Sequence, residues 1–231
     1  QGVALDPKTY LEEQLSPPLH LAVDLLHLDI FFVLIRGTVN LNAPNKAGQT
    51  PLALALDKNH RQSRTMAIEL LVAGADPNLG VKNRQSPLEM VIDRQDHEML
   101  DLLIKSRVDL NAVDSHADPM IFNAIRHANQ TALEKLLEAG VRRSVWNHNG
   151  LTPLQAIVQN KDTEMAKLYL KWKPNLDQLG MNRKTALHLS LEKGTQQITE
   201  LLLKEGASLD PKGISHPLIW AVKNRDVQTL D

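Results

Sequence analysis

A short segment recurs seven times along this 231-residue chain at an interval close to 33 residues. It is clearest as Thr50-Pro51-Leu52, Ser86-Pro87-Leu88, Thr152-Pro153-Leu154 and Thr185-Ala186-Leu187-His188. Marking the second residue of each copy gives positions 18, 51, 87, 119, 153, 186 and 217, with steps of 33, 36, 32, 34, 33 and 31. A near-constant period of this size belongs to stacked units that each contact their neighbours, not to one globular core. An array grows by adding units, so no internal domain boundary is expected.

The second copy, Asn45 to Asn78, shows what one unit encodes. Gly48 permits a left-handed turn, Thr50 can cap a helix, and Pro51 at the first helical position gives up no needed N–H. Ala67, Ile68, Leu70 and Leu71 then place apolar groups on one face of a second helix. Gly74 stands where a helix ends in a left-handed residue.

Turn, Thr-Pro-Leu helix, Leu-Leu helix and a Gly-Ala-Asp ending together resemble the ankyrin repeat family over essentially the whole chain. Copies such as Pro18-Leu19-His20-Leu21-Ala22 and Leu201-Leu202-Leu203-Lys204-Glu205-Gly206-Ala207 carry the same pattern. The resemblance implies an all-α solenoid of stacked antiparallel helix pairs with projecting hairpin-like loops. Its repeats, spanning 16–231, start near residues 16, 45, 81, 114, 147, 180 and 212, the last incomplete. Residues 1–15 precede them; Asp6-Pro7 with Tyr10, Leu11 and Leu15 reads as a helix over 7–15, either a cap or the end of an earlier repeat. Gln1 and the unfinished final copy are expected of a fragment of a longer polypeptide.

Three departures stand out. The second copy has about three extra residues, expected in 59–64, where they would lengthen the link between its helices at little cost. Asp118-Pro119-Met120-Ile121 replaces Thr-Pro-Leu-His, and Ala139-Gly140-Val141-Arg142-Arg143 carries basic residues where an acidic one is usual. Lys173-Pro174 replaces Gly-Ala, so Pro174 is expected to stop that helix.

Composition narrows the functions. Aromatic residues are 3% of the chain, which suits thin layers of Leu, Ile, Val and Ala. Lys plus Arg number 26 against 27 Asp plus Glu, so nothing in the balance attracts nucleic acid or an acidic membrane. There is no cysteine, hence no disulfide, thiolate metal site or Cys nucleophile. The apolar run 30–35 is far short of the roughly 20 residues a spanning helix needs. A monomer of intracellular, cytoplasmic life is the expectation, in its own cell or a host's.

No phosphate-binding loop, nucleophile elbow or His-Glu-x-x-His is present; His97-Glu98 is followed at 101 by Asp101. The chain is read as non-catalytic, with no cofactor. The nine histidines form no closely spaced pair, so no metal site is expected. The family resemblance implies that His20 and His188 hydrogen-bond neighbouring turns.

Trp220 aligns with inward residues such as Leu54 and Leu189 and reads as core. Trp172 aligns with Glu205 near the end of a second helix, where partial exposure is expected. Trp146 aligns with Pro44 and Leu179 beside a projecting loop, where packing does not demand an indole. It is either a binding anchor or folded back on the adjacent loop. The resemblance also implies partner binding through loop tips and exposed first-helix positions on a concave face. On this chain those include Lys58, Lys82, Arg94, Ile125, Arg126, Trp146, His148, Leu151, Met181 and Lys184. The expected role is a protein–protein interaction module, scaffold or adaptor, for a protein or peptide. The alternative is a targeting arm of a larger multidomain enzyme or of a bacterial effector.

Overall fold

The computed structural model describes residues 17–58, 60–79 and 85–209. The segment 7–15, the loop tip at Lys82, and the last copy with Trp220 lie outside them. Among the described residues the architecture is all-α, with helices alternating between two kinds. The first kind is α1 (Pro18–Asp24), α3 (Pro51–Asp57), α5 (Pro87–Asp93), α7 (Met120–Arg126), α9 (Pro153–Gln159) and α11 (Ala186–Glu192). The second is α2 (Leu28–Ile35), α4 (Arg61–Val72), α6 (His97–Lys105), α8 (Gln130–Glu138), α10 (Thr163–Leu170) and α12 (Gln196–Lys204).

Capping explains where these helices begin. Thr50, Ser86, Thr152 and Thr185 each accept the backbone N–H three residues on, as do Asp96, Asn129 and Asp162 ahead of second helices. Five of these pairs are joined by a tight link whose middle residue is left-handed: Leu26, Gln95, Ala128, Lys161 and Gly194. Second helices other than α2 end in another left-handed residue, Gly74, Arg107, Gly140, Lys173 or Gly206. The next N–H then reaches back five residues, as from Ala75 to the Leu70 carbonyl at 2.9 Å. Pro174 has no N–H, so that end lacks the five-residue bond and keeps only the shorter one from Lys173 to the Leu170 carbonyl at 3.0 Å, which the other ends also make, as from Gly74 to Leu71 at 3.1 Å.

Two expectations are corrected. The extra residues of the second copy do not lengthen a loop: residues 58–60 link α3 to α4, three residues as in the other pairs, and α4 runs 12 residues against nine in α6. Nothing in Arg61-Gln62-Ser63-Arg64 breaks a helix. His60 caps it, the Ser63 hydroxyl returns to the His60 carbonyl at 2.8 Å, and Arg64 ion-pairs with Asp96 and Glu98 of the next pair.

The fourth copy is in a different register. Pro119 is the N-cap and Met120 the first helical residue, so first helices start at 18, 51, 87, 120, 153 and 186. The steps become 33, 36, 33, 33 and 33, and the one irregular step among the described helices comes from the added turn of α4.

The chain divides after Asp109 into two compact units. In the first, α1, α3 and α5 pack in one layer and α2, α4 and α6 in the other. The second repeats this with α7, α9 and α11 against α8, α10 and α12. Leu, Ile, Met and Ala fill both cores, among them Leu52, Met66, Leu70 and Met99, then Ile121, Leu136, Ile157 and Leu202. Each such aliphatic side chain removed from water contributes on the order of 1.5–3 kcal/mol.

Candidate functional site

Hairpin loops precede first helices, and those before α3, α7, α9 and α11 are closed by their own backbone. Asn147 N–H donates to the Leu151 carbonyl at 3.0 Å and Gly150 N–H to the Asn147 carbonyl at 2.8 Å; Gly180 to Lys184 repeats the scheme. The Asn147 side chain also accepts from Leu151 N–H at 2.9 Å, as Asn45 does from Gln49. In the fourth copy both ends of this turn are carboxylates, Asp114 and Asp118, and both are buried.

Those two charges are held by donors from three places. The Arg126 guanidinium bridges them at 2.9 and 2.8 Å. Asp114 also accepts from the backbone of His116 and Asp118. Asp118 accepts from His148 N–H at 2.6 Å, with the His148 Nδ1 at 3.0 Å from both its oxygens. One hairpin is thus pinned to the next through a buried carboxylate. Arg126 and His148 are therefore fixed, each with part of its side chain open to solvent. Asp118 went unrecognised in the sequence because the register placed it at the helix cap; it occupies the position of Gln49, Leu151 and Lys184.

Trp146 lies on the same hairpin rim. Elsewhere an Asn or Asp side chain accepts an N–H from the next copy, as Asn42 does from Asp76, Asn111 from Arg142 and Asp177 from Ser208. The position between the last two is Ser144, and there the Trp146 indole N–H donates to the Leu179 carbonyl at 2.8 Å. The ring remains 43% exposed. Met181 N–H donates to the Gly150 carbonyl at 2.8 Å and its side chain is 74% exposed. Gly150 is needed twice, for its φ of 72° and because a Cβ there would meet the Met181 Cβ at 2.6 Å.

The remaining sequence-based candidates divide. Ile125 is buried, like its true counterparts Leu56, Ile92, Val158 and Leu191, so it offers no surface; the one-residue register shift is the reason. Leu151 is buried too, as Gln49 and Asp118 are at the same turn position. Lys184 pairs with Glu192 at 2.6 Å. In the first unit Lys58 pairs with Asp24 at 2.8 Å, and Arg94 donates to the Leu56 and Asp57 carbonyls at the end of α3. Lys82 is outside the described residues. Trp172 is half-buried, as expected.

Among the described residues, each unit has a crevice. One of about 140 Å³ in the second unit is lined by Asp118, Phe122, Arg126, His148, Asn149 and Asn160, among others. The larger, about 480 Å³ in the first unit, lies beneath Lys58, Arg64 and Arg94, whose charges are engaged by Asp24, Asp96 and the end of α3.

Of the two family histidines, His20 holds the turn of the next copy. His20 is buried and its Nε2 donates to the Gln49 carbonyl at 2.7 Å. Burial pushes its pKa below the ordinary 6.5, against a smaller opposing effect of that hydrogen bond. Gln155 performs the same task for the Lys184 carbonyl at 2.6 Å. His188 completes a capping box with Thr185. Among the described residues no three His, Asp or Glu side chains gather as metal ligands, and no helix is long and apolar enough to cross a membrane.

Helix pairs at a 33-residue pitch, hairpins closed at their base and a turn-binding histidine define a class: the chain has the fold of an ankyrin repeat array. The family model described as ankyrin repeats (3 copies) matches residues 121–213 and 154–230. The chain is 26% identical to human Transient receptor potential cation channel subfamily A member 1, over 71% of this chain and 15% of that protein. It is 27% identical to the mouse B-cell lymphoma 3 protein homolog, over 71% of this chain and 38% of that one. The crystal structure of the ankyrin repeat domain of Bcl-3 superimposes with a TM-score of 0.78 at 25% identity, covering 93% of this chain and 97% of that domain. The chain therefore spans well under half the length of these two full-length relatives. Ankyrin repeats serve generally as protein–protein interaction modules, and the fold is typically non-catalytic.

Proposed function

We propose that the chain binds a partner protein or peptide on the rim formed by hairpins 146–151 and 180–184, as a non-catalytic module on its concave side. One observation carries this. The Trp146 indole is fixed at its nitrogen by the Leu179 carbonyl while its ring stays open, and the next hairpin carries the exposed Met181. An aromatic group already held in place loses little further entropy on binding, which favours it as an anchor. Arg126 and His148 supply a polar border of fixed geometry. Because the chain spans only 15% of the channel relative, a second reading is that this module targets a larger protein whose other domains act.

Affinity capture with the wild type, Trp146→Ala/Met181→Ser, and a control change at the exposed Val72 tests the surface. A captured protein should be lost at least about tenfold with the double variant and kept with Val72→Ser. Equal capture by all three, with unchanged circular dichroism, overturns this surface.

A further inference from the structure

Two departures from the repeat meet at one place in the second unit. Where the second and third copies have Asp76 and Asp109 after the second helix, the fourth has Arg142, followed by Arg143. The Arg143 guanidinium donates to the Trp172 carbonyl of the next copy at 2.6 Å. Lys171 and Lys173 flank Trp172 in the chain, so three cationic residues meet at the end of α10. Arg142, Arg143, Lys171 and Lys173 are all exposed, and no carboxylate among the described residues pairs with any of them. Arg126, Lys167 and Lys184 of the same unit are ion-paired. A helix C-terminus rewards a nearby cation by about 0.3–1 kcal/mol, but like charges gathered at one end repel one another and work against folding. Stability alone gives no reason for the cluster. The flanking copies carry the exposed Glu138 and Glu205 at the corresponding helix ends, so the positive charge forms a narrow strip.

We propose that this strip extends the Trp146 rim and selects an acidic peptide, an extended segment with one large apolar side chain on the Trp146 ring and Asp or Glu residues running to Arg143, Lys171 and Lys173. It rests on the rim being the binding surface, and adds the chemistry of what the rim takes. The chain itself joins the two parts. Arg143 and Trp146 are three residues apart on one non-helical segment, so their Cα atoms lie no more than about 10 Å apart. An extended peptide covers that distance with about three residues. Both side chains donate to carbonyls of the next copy, those of Trp172 and Leu179, and are therefore held before a partner arrives. Arg143 spends one nitrogen on that bond, which leaves the other donors of its fork for a carboxylate. An acidic membrane is a poorer match, because a plane of headgroups would also meet Glu138 and Glu205, whereas a single chain can follow the strip.

Selection from a random-peptide display library separates the strip from the rim. The full chain is compared with Trp146→Ala and with Arg143→Gln/Lys171→Gln/Lys173→Gln, in which glutamine keeps an N–H for the Trp172 carbonyl; circular dichroism checks the helix content of each. The wild type should enrich peptides with an aromatic or large aliphatic residue about two to four positions from a pair of acidic ones. The leading peptide should bind at least about tenfold more weakly to the triple variant, and more weakly in about 0.5 M than in about 0.1 M salt. No acidic preference among the selected peptides, or equal affinity for wild type and triple variant, overturns the strip and leaves the rim standing. Equal affinity for Trp146→Ala overturns the rim and the strip with it. Binding to phosphatidylserine vesicles that the triple variant loses, with no acidic peptide enriched, also overturns the proposal and gives the strip to a membrane.

Discussion

His20 shows how one residue couples a turn to its neighbour and leaves a defect behind. Its Nε2 donates to Gln49, which puts the lone pair on Nδ1, and that atom is buried with no partner. In the sixth copy the same atom of His188 accepts from Thr185 N–H at 3.3 Å, but the first copy has Pro17 there, with no N–H and no hydroxyl. Pro17→Thr should restore the box and raise the unfolding free energy by about 1 kcal/mol in urea titrations. Since the folded-state pKa of His20 lies below 6.5, the unfolded chain binds the proton more readily. Stability present above pH 6.5 is therefore lost as pH falls below it. His20→Gln, which copies the residue that does this work at Gln155, should keep most of the stability at pH 7.5 and flatten this contribution to the acid slope in parallel titrations at pH 7.5 and 5.5. Asp118 is the other sensitive residue. Asp118→Ala removes the pin between hairpins and half of the charge that Arg126 answers, with an expected loss of about 2–4 kcal/mol.

Among elements, the turns separate two kinds of glycine. Gly206 has a φ of 91°, and a Cβ added there would meet no atom within 4 Å, so Gly206→Ala should lose only about 1 kcal/mol from backbone strain. Gly150 adds a collision with Met181, and Gly150→Ala should lose about 2–3 kcal/mol, seen as a lower urea midpoint. The helix pairs and their capped starts were legible because Thr-Pro-Leu, Leu-Leu and Gly-Ala each report a local backbone demand. Two element boundaries were not. Proline fits the N-cap as well as the first helical position, since neither N–H is needed within the helix, so Pro119 misplaced one copy by a residue. The steps of 32 and 34 on either side of that mark sum to two whole repeats and carried the clue. The added turn of α4 was hidden because Arg61 to Thr65 is polar enough to read as a loop, while Ser63 is buried by its two backbone carbonyl partners.

Over the whole molecule, the regular copies account for scaffold, and the candidate surface gathers where scaffold contacts are made by unusual residues. Ser144 forgoes the usual side-chain link between copies, Trp146 supplies it, and the ring is thereby held in the open. That trade was invisible in sequence, because the exposed indole and its anchoring carbonyl are 33 residues apart. The most direct measurement uses a chain in which Trp172 and Trp220 are replaced by Phe, so that Trp146 alone reports. Titration with the captured partner should shift its emission to shorter wavelength and saturate at the binding midpoint found independently. Unchanged emission at full occupancy would contradict the rim as the binding surface.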